Sequence, residues 1–476
     1  MTPPPKTPSP AAIEPRYVAD REAGLRRQLS ARQISMIALG GAIGTGLFLG
    51  SAVAVSLAGP GVILSYGVGA LIALALMWAL AEMTVVHPVA GSFGVFAGIY
   101  LHPWAGFAVR YSYWLAQAVA LGSEIVAAAI YCHYWYPHIP GWIWITLFSS
   151  ALVYINARSV GNFGTFEYWF ALIKVVTIFV FLALGTALLA GIGFHPLGTH
   201  NYMAFGGFLP HGWKGVGLGV AMAVFSYLGL EVVSVAAGEA SHPEVAVPRA
   251  ARWTLARLAL FYVGGMAVLV GVMPWTQAGL SESPFVRVFQ STGIPYAAAV
   301  MNFVVLTAAL SSVNTDLYLT TRMLFSLSRG GYAPQFLGRL NRQGVPLAAL
   351  LASSIGMILA LILEFLFHNS AFLYMLGAAF FGGLFGWFMI FLTHLAFRHH
   401  FEKTGGSVPM RFAPRGPWTS LAGLLALLAV LISTWWIPGM RITILAGMPW
   451  LALISLCYFL WARPHRERLD AAKRPD

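Results

Sequence analysis

"GGAIGTGLFLG" runs from Gly40 to Gly50, and five of its eleven residues are glycine. It lies inside an apolar stretch from Ile34 to Leu57, long enough for the about 20 residues that cross a membrane as one helix. Each interior glycine costs a helix about 1 kcal/mol relative to alanine. Backbone polar groups in lipid must be satisfied, so an interrupted helix survives only where it is buried in protein or lines a cavity. A membrane helix weakened at its middle therefore marks a place where something other than the helix uses the backbone.

The rest of the chain has the same character. Its 476 residues are 58% hydrophobic and 9% charged, against about 25% charged in soluble domains. This predicts an all-α, polytopic membrane protein. Twelve segments are long and apolar enough, at 34–57, 61–86, 104–131, 140–157, 166–191, 212–238, 250–273, 294–325, 346–367, 371–397, 418–436 and 442–462. A membrane barrel would instead alternate apolar and polar residues in strands of about ten, a pattern not seen here.

The net charge of +12 reports orientation. With both termini placed in the cytoplasm, 24 of the 28 Lys and Arg fall in cytoplasmic tails, loops and helix ends. Only Lys214, Arg287 and Arg441 fall on the other side, and Lys174 lies within the membrane. This is the positive-inside pattern, so no nucleic-acid partner is expected. Residues 1–31 are Pro-rich and polar, without the apolar core of a signal peptide, and read as a disordered cytoplasmic tail; residues 463–476 read as a cytoplasmic C-terminal tail. Cys132 and Cys457 are far apart in sequence and support neither a disulfide framework nor zinc. His399 and His400 read as a solvated helix end, so no metal or cofactor is expected.

One other segment is interrupted like the first. "GVGLGVAMAVFSYLGLEVVSVAAGEA" (215–240) carries Ser226, Tyr227 and Gly229 at its middle and Glu231 just beyond. The first and sixth segments hold equivalent places in two five-helix halves, 32–192 and 212–398, with 418–462 as two further helices. An odd number of helices per half makes the halves inverted. Paired interruptions at matching positions are the best sequence pointer to a transporter binding site. Gly40-xxx-Gly44 and Gly46-xxx-Gly50 also fit small-xxx-small helix packing, and that reading stays open for the flanking glycines. No strand precedes them, which argues against a nucleotide-binding loop.

The chain resembles the amino-acid permeases of the amino acid–polyamine–organocation superfamily, in particular the amino acid transporter family. The likeness runs from about Arg27 to Arg463 and includes "RQLSARQISMIALGGAIGTGLFLGSA" (27–52), "LAGPGVILSY" (57–66), "LAEMTVVHPVAGSF" (80–93), "YWFALIKVVTI" (168–178), "FSYLGLEVVSVAAGEASHPEVAVPRA" (225–250) and "SSVNTDLYLTTRMLFSLSRGGYAP" (311–334). The resemblance implies a LeuT-like fold, 5+5 inverted repeats plus two C-terminal helices, with helices 1 and 6 unwound at midpoint. It also implies a proton-coupled importer of amino acids in a bacterial inner membrane, a monomer or weak homo-oligomer, and no enzyme.

An amino acid is a zwitterion and needs two homes. Unwinding near Ile43, Gly44, Thr45 and Gly46 would turn free N–H groups and a helix dipole toward a carboxylate. The carbonyls of Phe225, Ser226 and Leu228 would take the ammonium, and the resemblance assigns these breaks to the α-carboxylate and α-amino group. Phe225 and Tyr227 match aromatic positions that close over substrate in the family. Intramembrane charges are functional candidates by default. Glu124 reads as substrate-facing, proton-linked or structural. Lys174 matches a lysine that stands in for a sodium ion in proton-coupled relatives, and Glu231 matches a glutamate that supports the unwound segment, with proton coupling the alternative. Asp316 departs from the small or neutral residue many relatives have; it would pair with Lys174 or attract a cationic substrate. Glu82, Glu239 and Arg322 read as cytoplasmic gate or packing contacts. Apolar pocket candidates favour neutral or hydrophobic amino acids, with basic amino acids, polyamines or an amino-acid sensor as alternatives.

Overall fold

Every regular element among the described residues is helical. The structure is a computed structural model that describes residues 43–87, 92–158, 163–192, 197–231, 259–367, 370–403 and 417–464. The amino-terminal tail, segment 1 before Ile43, segment 6 beyond Glu231 with Glu239, and residues 465–476 lie outside the described residues. Helix occurs within each of the twelve expected segments. Eight helical stretches meet the length and apolarity needed to cross a membrane, among the described residues.

Segments 3 and 10 form the middle of the molecule. The helices Pro103–His133 and Ala371–Lys403 each have 78% of their most apolar window buried, and they pack on one another. Small residues allow the approach: a Cβ on Gly382 would stand 2.3 Å from the Ser112 carbonyl and 2.8 Å from Ala116 Cβ. Without a hydrophobic drive between helices in lipid, such close van der Waals contact is what joins them. The helix Ala297–Arg329 also packs on Pro103–His133. The stretches Trp418–Trp436 and Ile442–Ala462 are as apolar but only 28% and 22% buried, so most of their side chains are left for the hydrocarbon.

Where Val62–Val86 ends, one buried network ties three segments. Glu82, at the end of Val62–Val86, receives two hydrogen bonds from Arg398, at 2.7 Å and 3.0 Å, and one contact from His394 Nε2 at 2.9 Å. His394 Nδ1 lies 2.7 Å from the hydroxyl of Ser420, in the first turn of Trp418–Ser433. The Glu82 side chain is wholly buried, so its charge is tolerable only with these partners. Glu82 thus makes a buried contact between helices, which both the gate and the packing expectation would require. Arg322 instead stacks over the Tyr318 ring, 4.2 Å from its centroid.

Candidate functional site

Among the described residues of segment 1, helix begins at Thr45. Gly44 precedes it in an extended conformation, with φ −127° and ψ −164°. Segment 6 does the reverse: its helix, Gly212–Tyr227, stops where Leu228 turns to φ −58° and ψ 144°. Gly229 follows at φ +100°, a conformation that side-chain-bearing residues rarely adopt. The two interruptions touch. Ser226 Oγ lies 2.8 Å from the Gly46 carbonyl and 3.0 Å from that of Met222, with Tyr66 Oη also 3.0 Å away. Having one proton, the serine donates to one carbonyl at a time and accepts from Tyr66.

The tightness of this contact explains the glycine at 46. A Cβ there would sit 3.1 Å from Ser226 Cα and 3.2 Å from the Phe225 ring. At Gly44 a Cβ would meet Glu124 Oε1 at 3.1 Å and Ser312 Oγ at 3.3 Å. Gly44 thus lets backbone approach the polar groups of Glu124 and Ser312, while Gly46 lets segment 1 pack closely on segment 6.

A cavity opens at this junction. Gly44, Gly46, Phe225, Ser226, Leu228 and Gly229 line one side. Segment 3 contributes Tyr113, Ala116, Gln117, Ala120 and Glu124; segment 8 contributes Ser312, Thr315, Asp316 and Leu319; Ala379 and Gly383 come from segment 10. Spacings of three and four residues place each set on one helix face.

Of the residues singled out in the sequence, Gly44, Gly46, Phe225, Ser226, Leu228, Glu124, Glu231 and Asp316 line this cavity. Ile43 is buried beside it and not on its wall. Thr45 gives its N–H to Glu124 Oε1 at 3.4 Å, while its buried hydroxyl has no hydrogen-bond partner among the described residues. Lys174 is also off the wall; its Nζ lies 3.5 Å from Ser312 Oγ, and it is 1% exposed.

Tyr227 departs from expectation. Its hydroxyl donates to the Tyr66 carbonyl at 3.0 Å, and its ring packs on Tyr262 with centroids 4.8 Å apart. The reason is helical geometry: residues two apart point about 200° apart around the axis, so Phe225 and Tyr227 cannot both face the cavity. Phe225 does, with its ring edge-on to Phe380 at 5.6 Å.

Glu231 is already occupied. Its carboxylate accepts from the Gly229 N–H at 3.2 Å and 3.1 Å and from the Trp387 indole at 2.9 Å. These bonds hold the Gly229 turn, which favours the supporting role over a proton-carrying one. Glu124 Oε2 and Thr315 Oγ1 are buried and without partners among the described residues. Unmet polar atoms on a cavity wall are what a polar ligand satisfies.

Ser312, Thr315, Tyr113, Gln117 and Trp387 were not singled out in the sequence. Ser312 lies four residues from Asp316, and Gln117 and Tyr113 lie seven and eleven from Glu124, steps that stay on one helix face; Thr315 simply adjoins Asp316. Trp387 gave no signal, since its partner Glu231 is 156 positions away.

The family model for the amino acid permease family matches residues 33–471. The chain is 39% identical over 438 residues to a Bacillus subtilis protein named as an uncharacterized amino acid permease, YtnA, covering 91% of this chain and 95% of that one. It is similar to the aromatic amino acid transport protein AroP of Escherichia coli K12, 39% identical over 437 residues, with the same coverage of each. To AroP of Salmonella typhimurium LT2 it is 40% identical over 437 residues, again covering 91% of this chain and 95% of the relative.

Proposed function

The chain belongs to the amino acid permease family, and from that premise we propose that it imports amino acids by proton symport across a bacterial inner membrane. It is a transporter and not an enzyme, as the family and its transport-protein relatives indicate. The observation that carries the proposal is the cavity between the start of the Thr45 helix and the end of the Tyr227 helix, with unmet polar atoms on or beside its wall.

The zwitterion is received in two parts. The N–H groups at the start of the Thr45 helix take the carboxylate, aided by the helix dipole. Backbone carbonyls at Ser226 and Leu228 take the ammonium. The apolar and small residues of segments 3, 6 and 10 favour neutral or hydrophobic side chains. The aromatic substrates named for the AroP relatives fit this preference; Asp316 and Glu124 on the wall keep a basic substrate as the second reading.

Lys174 is the proposed coupling group, a buried ammonium reaching toward Ser312, whose hydroxyl lines the cavity. A protonatable amine held between helices can be linked to their movement, because its proton is released or held as its neighbours change. Transport proceeds by alternating access, with one of two inverted five-helix repeats rocking around the site, both termini in the cytoplasm and the protein a monomer or weak homo-oligomer. Uptake of labelled amino acids into proteoliposomes under an imposed pH gradient tests this. Accumulation that collapses when the gradient is dissipated supports it; folded protein that accumulates no amino acid overturns it.

A further inference from the structure

Three buried tyrosines, Tyr66, Tyr227 and Tyr262, meet where segments 2, 6 and 7 come together, off the cavity wall. The Tyr66 ring stands 6.0 Å from that of Tyr227 and 6.3 Å from that of Tyr262, centroid to centroid. Tyr227 also donates to the Tyr66 carbonyl at 3.0 Å. Gly69 permits this approach: a Cβ there would stand 3.0 Å from Tyr227 Cε2 and 3.1 Å from Ala223 Cβ. Tyr66 is therefore held by both its ring and its backbone, independently of its hydroxyl.

That hydroxyl has one hydrogen-bond partner among the described residues, Ser226 Oγ at 3.0 Å. Ser226 in turn reaches the Gly46 carbonyl at 2.8 Å, which ties the end of the Tyr227 helix to the start of the Thr45 helix. A hydroxyl that also accepts a hydrogen bond is held in place and polarised into a stronger donor. The two chain breaks joined by Ser226 are the two homes proposed for the zwitterion, N–H groups for its carboxylate and carbonyls for its ammonium. In an α-amino acid both groups are bonded to one carbon, so their separation is fixed. A site for them binds well only when its two parts already stand at a matching separation.

We infer that Tyr66 is a positioning residue of the amino-acid site: through Ser226 it holds the breaks in segments 1 and 6 at the spacing of an α-carboxylate and an α-ammonium. It serves the part common to all amino acids and not the side chain. The Met222 carbonyl, 3.0 Å from Ser226 Oγ, is an alternative acceptor, so the tie can release without leaving the serine proton unmet. The inference rests on reading the cavity as an amino-acid site.

Tyr66→Phe removes the hydroxyl and keeps the ring. Ser65→Ala is the control: Ser65 donates to the Val216 carbonyl at 2.8 Å, joining the same two segments away from the cavity wall. Uptake into proteoliposomes is measured for the full set of labelled amino acids. Saturation curves are taken for those the wild type moves, phenylalanine and leucine foremost, and melting temperatures in detergent for each variant. Tyr66→Phe is expected to raise KM by about twofold to tenfold, the worth of one neutral hydrogen bond, and by the same factor for every amino acid moved. Ser65→Ala is expected to lower the melting temperature at least as much and to leave KM at its wild-type value. A merely structural loss lowers the amount of active protein, and so the maximal rate, without moving KM. Ser226→Ala should raise KM at least as much as Tyr66→Phe, and adding Tyr66→Phe to it should raise KM no further, because the two act through one tie.

An unchanged KM in folded Tyr66→Phe overturns the inference and leaves amino-acid transport standing, as does a change confined to one amino acid. Should Tyr66→Phe fail to fold, an unchanged KM in Ser226→Ala overturns it equally. Wild-type protein that moves no amino acid overturns the transport reading, and this inference with it.

Discussion

The carboxylate of Glu124, on segment 3, reaches the backbone N–H of Thr45, on segment 1, at 3.4 Å. It thereby sits at the start of the Thr45 helix, where the anionic end of an amino acid is expected. A substrate carboxylate arriving there meets a carboxylate of the protein already in place, and two like charges in a dry site do not coexist cheaply. Substrate binding then takes up a proton, and affinity falls as pH rises. We expect the dissociation constant to increase by up to about tenfold per pH unit, the limit for one linked proton. Glu124→Gln should flatten that dependence. Thermal-shift titrations with amino acid across a pH series measure both, and an equally steep slope in the variant would remove Glu124 from the linkage.

Removing the proposed coupling ammonium separates binding from driven transport. Lys174→Ala should lose gradient-driven accumulation. Its readout is uptake with and without an imposed pH gradient; accumulation that keeps the wild-type response to the gradient would exclude Lys174 as the coupling group.

Gly46→Ala places a methyl 3.1 Å from the backbone of Ser226, and backbone cannot yield as a side-chain tip can. We expect destabilisation of about 1–3 kcal/mol, as for overpacking generally, and loss of uptake. Gly67→Ala is the control, because a Cβ there meets nothing within 4 Å. Melting temperatures in detergent compare the two.

Glu231→Gln keeps the shape of the side chain but replaces one acceptor oxygen by a donor nitrogen. The Gly229 N–H and the Trp387 indole both need acceptors, so one donor faces another. The expected cost is about 1–3 kcal/mol, seen as a lowered melting temperature with uptake reduced in parallel. A variant as stable as wild type would mean that Glu231 does not hold the turn.

Arg398→Leu removes both of its hydrogen bonds to the buried Glu82 carboxylate. Breaking a buried pair from one side costs about 3–5 kcal/mol. The double variant Glu82→Gln/Arg398→Leu should recover more than half of that loss, because the uncompensated charge is gone. Chemical or thermal unfolding of the single and double variants decides it.

Much of the architecture was legible in the chain alone. Apolar segments of membrane length carry the all-helical, multi-pass character, because lipid penalises charge and unpaired backbone wherever they occur. The glycines at 44 and 46 and the Ser226–Glu231 stretch likewise announced themselves, since a break in a membrane helix is costly and therefore visible. What the sequence could not give was direction around the helix axis and pairing across the fold. Phe225 and Tyr227 looked equivalent until the helix pointed one into the cavity and the other at Tyr66. Glu231 and Glu124 looked alike as buried acids until Trp387, 156 positions away, was found occupying the first while one oxygen of the second was left unmet. Burial and periodicity are local costs that each segment carries by itself. Which buried acid is satisfied depends on residues brought together only by packing, and that the tertiary structure alone decides.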